Sequence, residues 1–95
     1  MKLELFSSKR GSIVPNLVGI QAPDLDMLPT VLVCPLLPGL PVSGVRTSVE
    51  VDGRSFTILC ELARPINRRV LTQVGELDES ASRRVINVFH LVLAQ

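Results

Sequence analysis

Hydrophobic and polar positions divide this chain into short extended runs and one terminal helix. Leu3-Glu4-Leu5-Phe6 alternates as a half-buried strand does, and Ser7 to Ser12, with Lys9, Arg10 and Gly11, reads as a polar turn. Leu17 to Gln21 forms a second strand antiparallel to the first. Asp24 to Met27 lies between Pro23 and Pro29, which bounds it as a loop or a single helical turn. Thr30 to Leu36 is a β-branched and aliphatic run suited to burial on both faces, with Pro35 marking its end. Pro38 to Gly44 is too rich in Pro and Gly for regular structure.

The clearest local signal follows. Arg46 to Val51 leads into Asp52-Gly53, and Arg54 to Leu59 returns. Asp-Gly between two alternating runs specifies a tight hairpin, because both turn positions must accept positive φ. Leu62 to Val70 reads as a segment kinked at Pro65, and Val70 to Val74 as a short strand. Asp78 is a good helix N-cap with Glu79 in the first turn. Ala81, Val85, Val88, Phe89 and Val92 then recur at helical spacing, and Ile86 and Leu93 widen that face. The pattern predicts a mainly β (α+β) fold: a small barrel of about five antiparallel strands with a C-terminal helix, in one domain spanning 1–95.

Composition narrows the partners. Aromatic residues make up only 3% of the chain, so the core is aliphatic with Phe6, Phe56 and Phe89. Positive mean hydropathy on so short a chain predicts apolar surface left for a partner, and a homodimer covers it most simply. A net charge of +1 provides no global field toward nucleic acid or membrane. Half of the ten basic residues nevertheless fall at Arg64, Arg68, Arg69, Arg83 and Arg84. They read either as solvated surface among Glu76, Asp78 and Glu79, or as a patch for an acidic protein partner or a phosphate backbone.

Cys34 and Cys60 each sit within an apolar run, as small buried thiols do. There is no CxxC, and one histidine does not complete a zinc site, so neither metal nor cofactor is expected. Glu4 falls where a signal peptide would be apolar, and no apolar run reaches membrane-spanning length, so the expected location is the cytoplasm.

Several stretches resemble the CcdB/MazF (PemK/Kid) toxin superfamily, the first third being closest to CcdB-like chains. They are Leu3-Glu4-Leu5-Phe6, Lys9-Arg10, Gly19 to Asp26, Val31 to Leu36 and the hairpin at Val49 to Gly53. Ile66 to Leu93 resembles CcdB-like and MazF-like chains equally. The resemblance implies an SH3-like barrel, a homodimer and the toxin of a type II toxin–antitoxin module, bound by a cognate antitoxin. CcdB-like members poison DNA gyrase through its A subunit; MazF-like members cut single-stranded RNA.

Each activity has its own residues. A ribonuclease needs a cation for the phosphorane-like transition state and an acid/base pair. The MazF-like Arg-Pro is replaced here by Leu28-Pro29, and the Thr that follows the Val-x-Pro strand by Leu37 or Pro38. Arg46, Thr47 and Ser48, or Glu61 with Arg64, are the candidates to replace them. The Trp-Gly-Ile tail of CcdB-like chains is absent, and the helix ends Val88-Phe89-His90-Leu91-Val92-Leu93-Ala94-Gln95. If the tail carries a gyrase contact, His90, Leu91, Val92 and Leu93 make it. Gyrase poisoning is the first reading from sequence, RNA cleavage the second, and a member that only binds a partner the third. No catalytic residue is assigned.

Overall fold

The computed structural model describes residues 1–21 and 28–94. Among these residues seven strands precede one α-helix: β1 (Glu4–Ser7), β2 (Leu17–Gly19), β3 (Thr30–Pro38), β4 (Arg46–Val51), β5 (Arg54–Leu59), β6 (Arg64–Asn67), β7 (Thr72–Glu76) and α1 (Glu79–Leu93). They pair antiparallel in the order β4-β5-β3-β2-β1-β7, with β6 on β3 as a branch. The sheet curls into a half-barrel that α1 closes. The expected small barrel with a C-terminal helix is therefore observed, with seven strands where about five were expected. The loop expected at Asp24 to Met27 lies outside the described residues.

The nine-residue β3 organises the sheet. Its first half pairs with β6 and its last three residues with β5 on the same edge, while β2 occupies the other edge. Pro35 does not end this strand, contrary to the sequence expectation. The Leu36 N–H donates to the Asn16 carbonyl on the β2 side. Alternation therefore turns the Pro35 nitrogen to the opposite edge, at the junction where β6 stops and β5 begins, so no ladder bond is lost.

The same logic admits Pro65 into β6. Leu32 faces Pro65, and Leu32 directs its backbone groups toward β2, since its carbonyl accepts from Ile20 N–H. The pair is of the non-hydrogen-bonded kind, and the Pro65 nitrogen points to the free edge. The expected kinked segment is thus a 3-10 turn at Cys60–Leu62, strand β6, and a second 3-10 turn at Arg68–Val70. Asn67 caps that second turn by accepting from Arg69 N–H. The turn consumes Val70, so the strand expected at Val70 to Val74 runs instead over Thr72–Glu76.

The Asp52-Gly53 hairpin forms as expected, with φ of 52° and 78°, and sets β4 against β5 from Val51↔Arg54 to Arg46↔Leu59. Beneath α1 lies the main core, which includes Leu3, Leu36, Ile58, Cys34, Cys60 and Val85. A smaller cluster of Phe6, Leu17, Val31 and Val33 fills the other face of the sheet. Val31 and Val33 of β3 serve the small cluster, and Leu32, Cys34 and Leu36 the main core, so the middle of this strand is buried on both faces as its composition predicts. Asp78 accepts from Ala81 N–H at 2.7 Å and caps the helix. Ile86, Val88, Phe89 and Val92 pack on the core, whereas Leu93 is 66% exposed and does not widen the buried face.

Candidate functional site

The hairpin brings two charged candidates together. Arg46 opens β4 opposite Leu59, the last residue of β5, and the chain then enters the Cys60–Leu62 turn. This return carries Glu61 alongside Arg46, and Arg46 Nε donates to Glu61 Oε2 at 2.8 Å. Both side chains keep somewhat under a third of their surface in solvent. A pair so exposed contributes at most about 1 kcal/mol to stability. It presents a cation and a carboxylate together at a reachable corner.

Strand alternation sorts the remaining candidates there. Ser48 projects from the same face of β4 as Arg46, while Thr47 falls on the face of buried Val49. Arg64 is exposed on β6, and Glu61 pairs with Arg46. The second combination considered from sequence, Glu61 with Arg64, thus has Arg46 in the place given to Arg64.

The other arginines do not share one environment. Arg68 belongs to the second 3-10 turn, where its Nε donates to the Leu28 carbonyl at 3.0 Å, and Arg69 follows it. Arg84 projects from α1 and its guanidinium donates to the Ser48 carbonyl at 3.4 Å. That contact borders a 320 Å³ polar cleft lined by Ser48, Glu50, Ser55, Asp78, Ser80 and Arg84. Arg83 points elsewhere, into a recess with Met1, Glu79 and Ile86.

At the C-terminal end of α1, His90, Leu91 and Leu93 are exposed while Val92 packs on the core. The helix also packs against the Cys60–Leu62 turn, so the turn that carries Glu61 is buttressed by the helix.

One surface feature was not read from the sequence. Ile13 and Val14 are 84% and 44% exposed, and Val14 and Pro15 border a 210 Å³ groove whose other wall includes Leu37, Pro38 and Phe56. Arg54 lies 5.5 Å over the Phe56 ring at its edge. The available signal was a run of three apolar residues, Ile13-Val14-Pro15, between a polar turn and a strand.

Cys34 and Cys60 are buried and free, as expected. The hydrogen bond to Cys60, and then burial, push the Cys34 thiol up, while the same hydrogen bond holds Cys60 below its ordinary range. Among the described residues, no group of three His, Cys, Asp or Glu side chains gathers to hold a metal ion, and no helix is long and apolar enough to cross a membrane.

The fold and these sites define a small antiparallel half-barrel with a single closing helix, a charged corner at one sheet edge and an apolar helix end. No protein-family model and no curated protein matches the chain. Among solved structures it is similar to the Mycobacterium tuberculosis toxin MazF-mt6, with a TM-score of 0.75 over 99% of this chain and 97% of that one, at 12% identity. The likeness at that identity is one of fold. It extends over nearly the whole of both chains.

Proposed function

We propose that this chain is the toxin of a type II toxin–antitoxin module, a homodimer restrained by a cognate antitoxin, and that it is a MazF-like endoribonuclease acting on single-stranded RNA. The observation that carries the reading is the Arg46–Glu61 contact, set in a fold that matches a MazF toxin over its whole length. Cleavage by the RNA's own 2′-hydroxyl needs a base to take the hydroxyl proton and a cation to meet the charge developing on the phosphoryl oxygens. Glu61 supplies the carboxylate and Arg46 the guanidinium, and Ser48 adds a hydroxyl on the same strand face. This order of preference reverses the one drawn from sequence.

CcdB-like poisoning of the gyrase A subunit is the second reading. It is supported by the exposure of Leu91 and Leu93, 58% and 66%, at the end of α1. The exposed Ile13, Val14 and Leu37 support assembly with a second copy or an antitoxin.

Purified protein incubated with a mixed-sequence single-stranded RNA separates the two. The ribonuclease reading expects discrete fragments, and Glu61→Gln and Arg46→Gln each reduce the rate at least ~100-fold. Intact RNA together with trapped gyrase–DNA complexes would transfer the activity to the helix end.

A further inference from the structure

Cys34 and Cys60 occupy a position for which their burial alone gives no reason. The β3–β5 register pairs Leu36 with Ile58, Leu37 with Thr57 and Pro38 with Phe56. Two residues back along β3 stands Cys34, and two residues on from Ile58, where β5 has passed into its 3-10 turn, stands Cys60. Leu36 N–H donates toward β2, so Leu36↔Ile58 is a non-hydrogen-bonded pair with its side chains close together, and β3 also packs on the Cys60–Leu62 turn. Neighbouring strands lie about 4.8 Å apart, a spacing that a disulfide spans. Both thiols lie in the main core, and one hydrogen-bonds the other.

We infer that Cys34 and Cys60 form a cross-strand dithiol that low-molecular-weight disulfides convert to an intramolecular disulfide, stapling β3 to β5 beneath the Arg46–Glu61 corner. The steps balance as thiol–disulfide exchange. The Cys60 thiolate attacks one sulfur of the small disulfide and expels one small thiolate. Cys34 then attacks the Cys60 sulfur of the mixed disulfide and expels the second. Two protein thiols are oxidised, one small disulfide is reduced to two thiols, and the protein's two protons end on the leaving groups. Cys60 is the entering nucleophile because the Cys34 thiol donates its hydrogen bond to that sulfur.

Entry is controlled by the turn. Cys60 is 1% exposed, so reagent reaches it when the Cys60–Leu62 segment opens. That segment begins without a side-chain cap, and its ion pair to β4 runs through Glu61. Glu61→Gln therefore speeds oxidation, and this effect on rate is independent of whether the corner cleaves RNA.

The test uses the reduced full chain equilibrated with oxidised glutathione, read by intact mass and thermal unfolding. The expected product is a chain lighter by two hydrogens and not cross-linked to another, with Tm raised by about 10 °C, a shift set by closing the loop between the two positions. Added dithiothreitol reverses both changes, and Cys34→Ser and Cys60→Ser show neither. A chain that keeps its reduced mass even when partly unfolded with denaturant would overturn the inference. So would one that stops at a glutathione adduct, links to a second chain, or loses two hydrogens with a lowered Tm.

Discussion

Helix α1 is fastened to the sheet at its start and left open at its end. Its start holds a cap of its own and two hydrogen bonds to the body of the protein. Asp78 caps the Ala81 N–H, Leu77 N–H donates to the Leu3 carbonyl, and Leu3 N–H donates in return to Ser82 Oγ at 2.9 Å. Ala81, Ser82 and Val85 are buried there. At the other end Leu91 and Leu93 are more than half exposed, and Val92 keeps the helix against the core. A bulky apolar residue in water contributes nothing to this monomer's fold. The fully buried residues are therefore concentrated in the first half of the helix, and the exposed side of its last turn is left to serve a partner.

Breaking the fastened end gives the largest effects. Val85 is fully buried, so Val85→Asp places an unpaired carboxylate in the main core, and the chain is expected to be unfolded by circular dichroism. Ser82→Ala removes the acceptor of the buried Leu3 N–H and is expected to cost about 1–3 kcal/mol in urea unfolding. Asp78→Ala removes one cap bond and should cost ~1 kcal/mol in the same measurement. The smallest change in stability belongs to the open end. Leu91→Ser with Leu93→Ser should stay within about 0.5 kcal/mol of the parent chain, and sedimentation of the same variant shows whether this end joins two copies. A double variant as damaged as Ser82→Ala would erase the distinction between the two ends.

How much of this was legible depends on how local each determinant is. The Asp52-Gly53 hairpin and the Asp78 cap are decided within a few residues, and both stand where the pattern put them. Pro35 and Pro65 misled because a proline's effect in a strand depends on which edge its nitrogen faces. That is settled by partners far along the chain. Helical period placed Leu93 on the apolar face correctly in angle, but period carries no information about how far the sheet extends beneath it. Arg46 and Glu61 were both legible as candidate residues. Their contact was not, because they are 15 positions apart and meet only when β5 returns and turns at Cys60. The groove beside Val14 and Pro15 depends on a wall from β3 and β5, so only the apolar tripeptide was visible beforehand.

The same contrast between a charged corner and an apolar helix end decides the mechanism. The most direct measurement is growth after induced expression in a bacterium, with cellular RNA examined in the same cultures. It is made on the parent chain, on Arg46→Gln, and on Leu91→Ser combined with Leu93→Ser, each verified as folded by circular dichroism. The account predicts arrest and fragmented RNA for the parent and for the double-serine variant, with normal growth and intact RNA for Arg46→Gln. An Arg46→Gln variant that still arrests growth, beside a double-serine variant that does not, would contradict it.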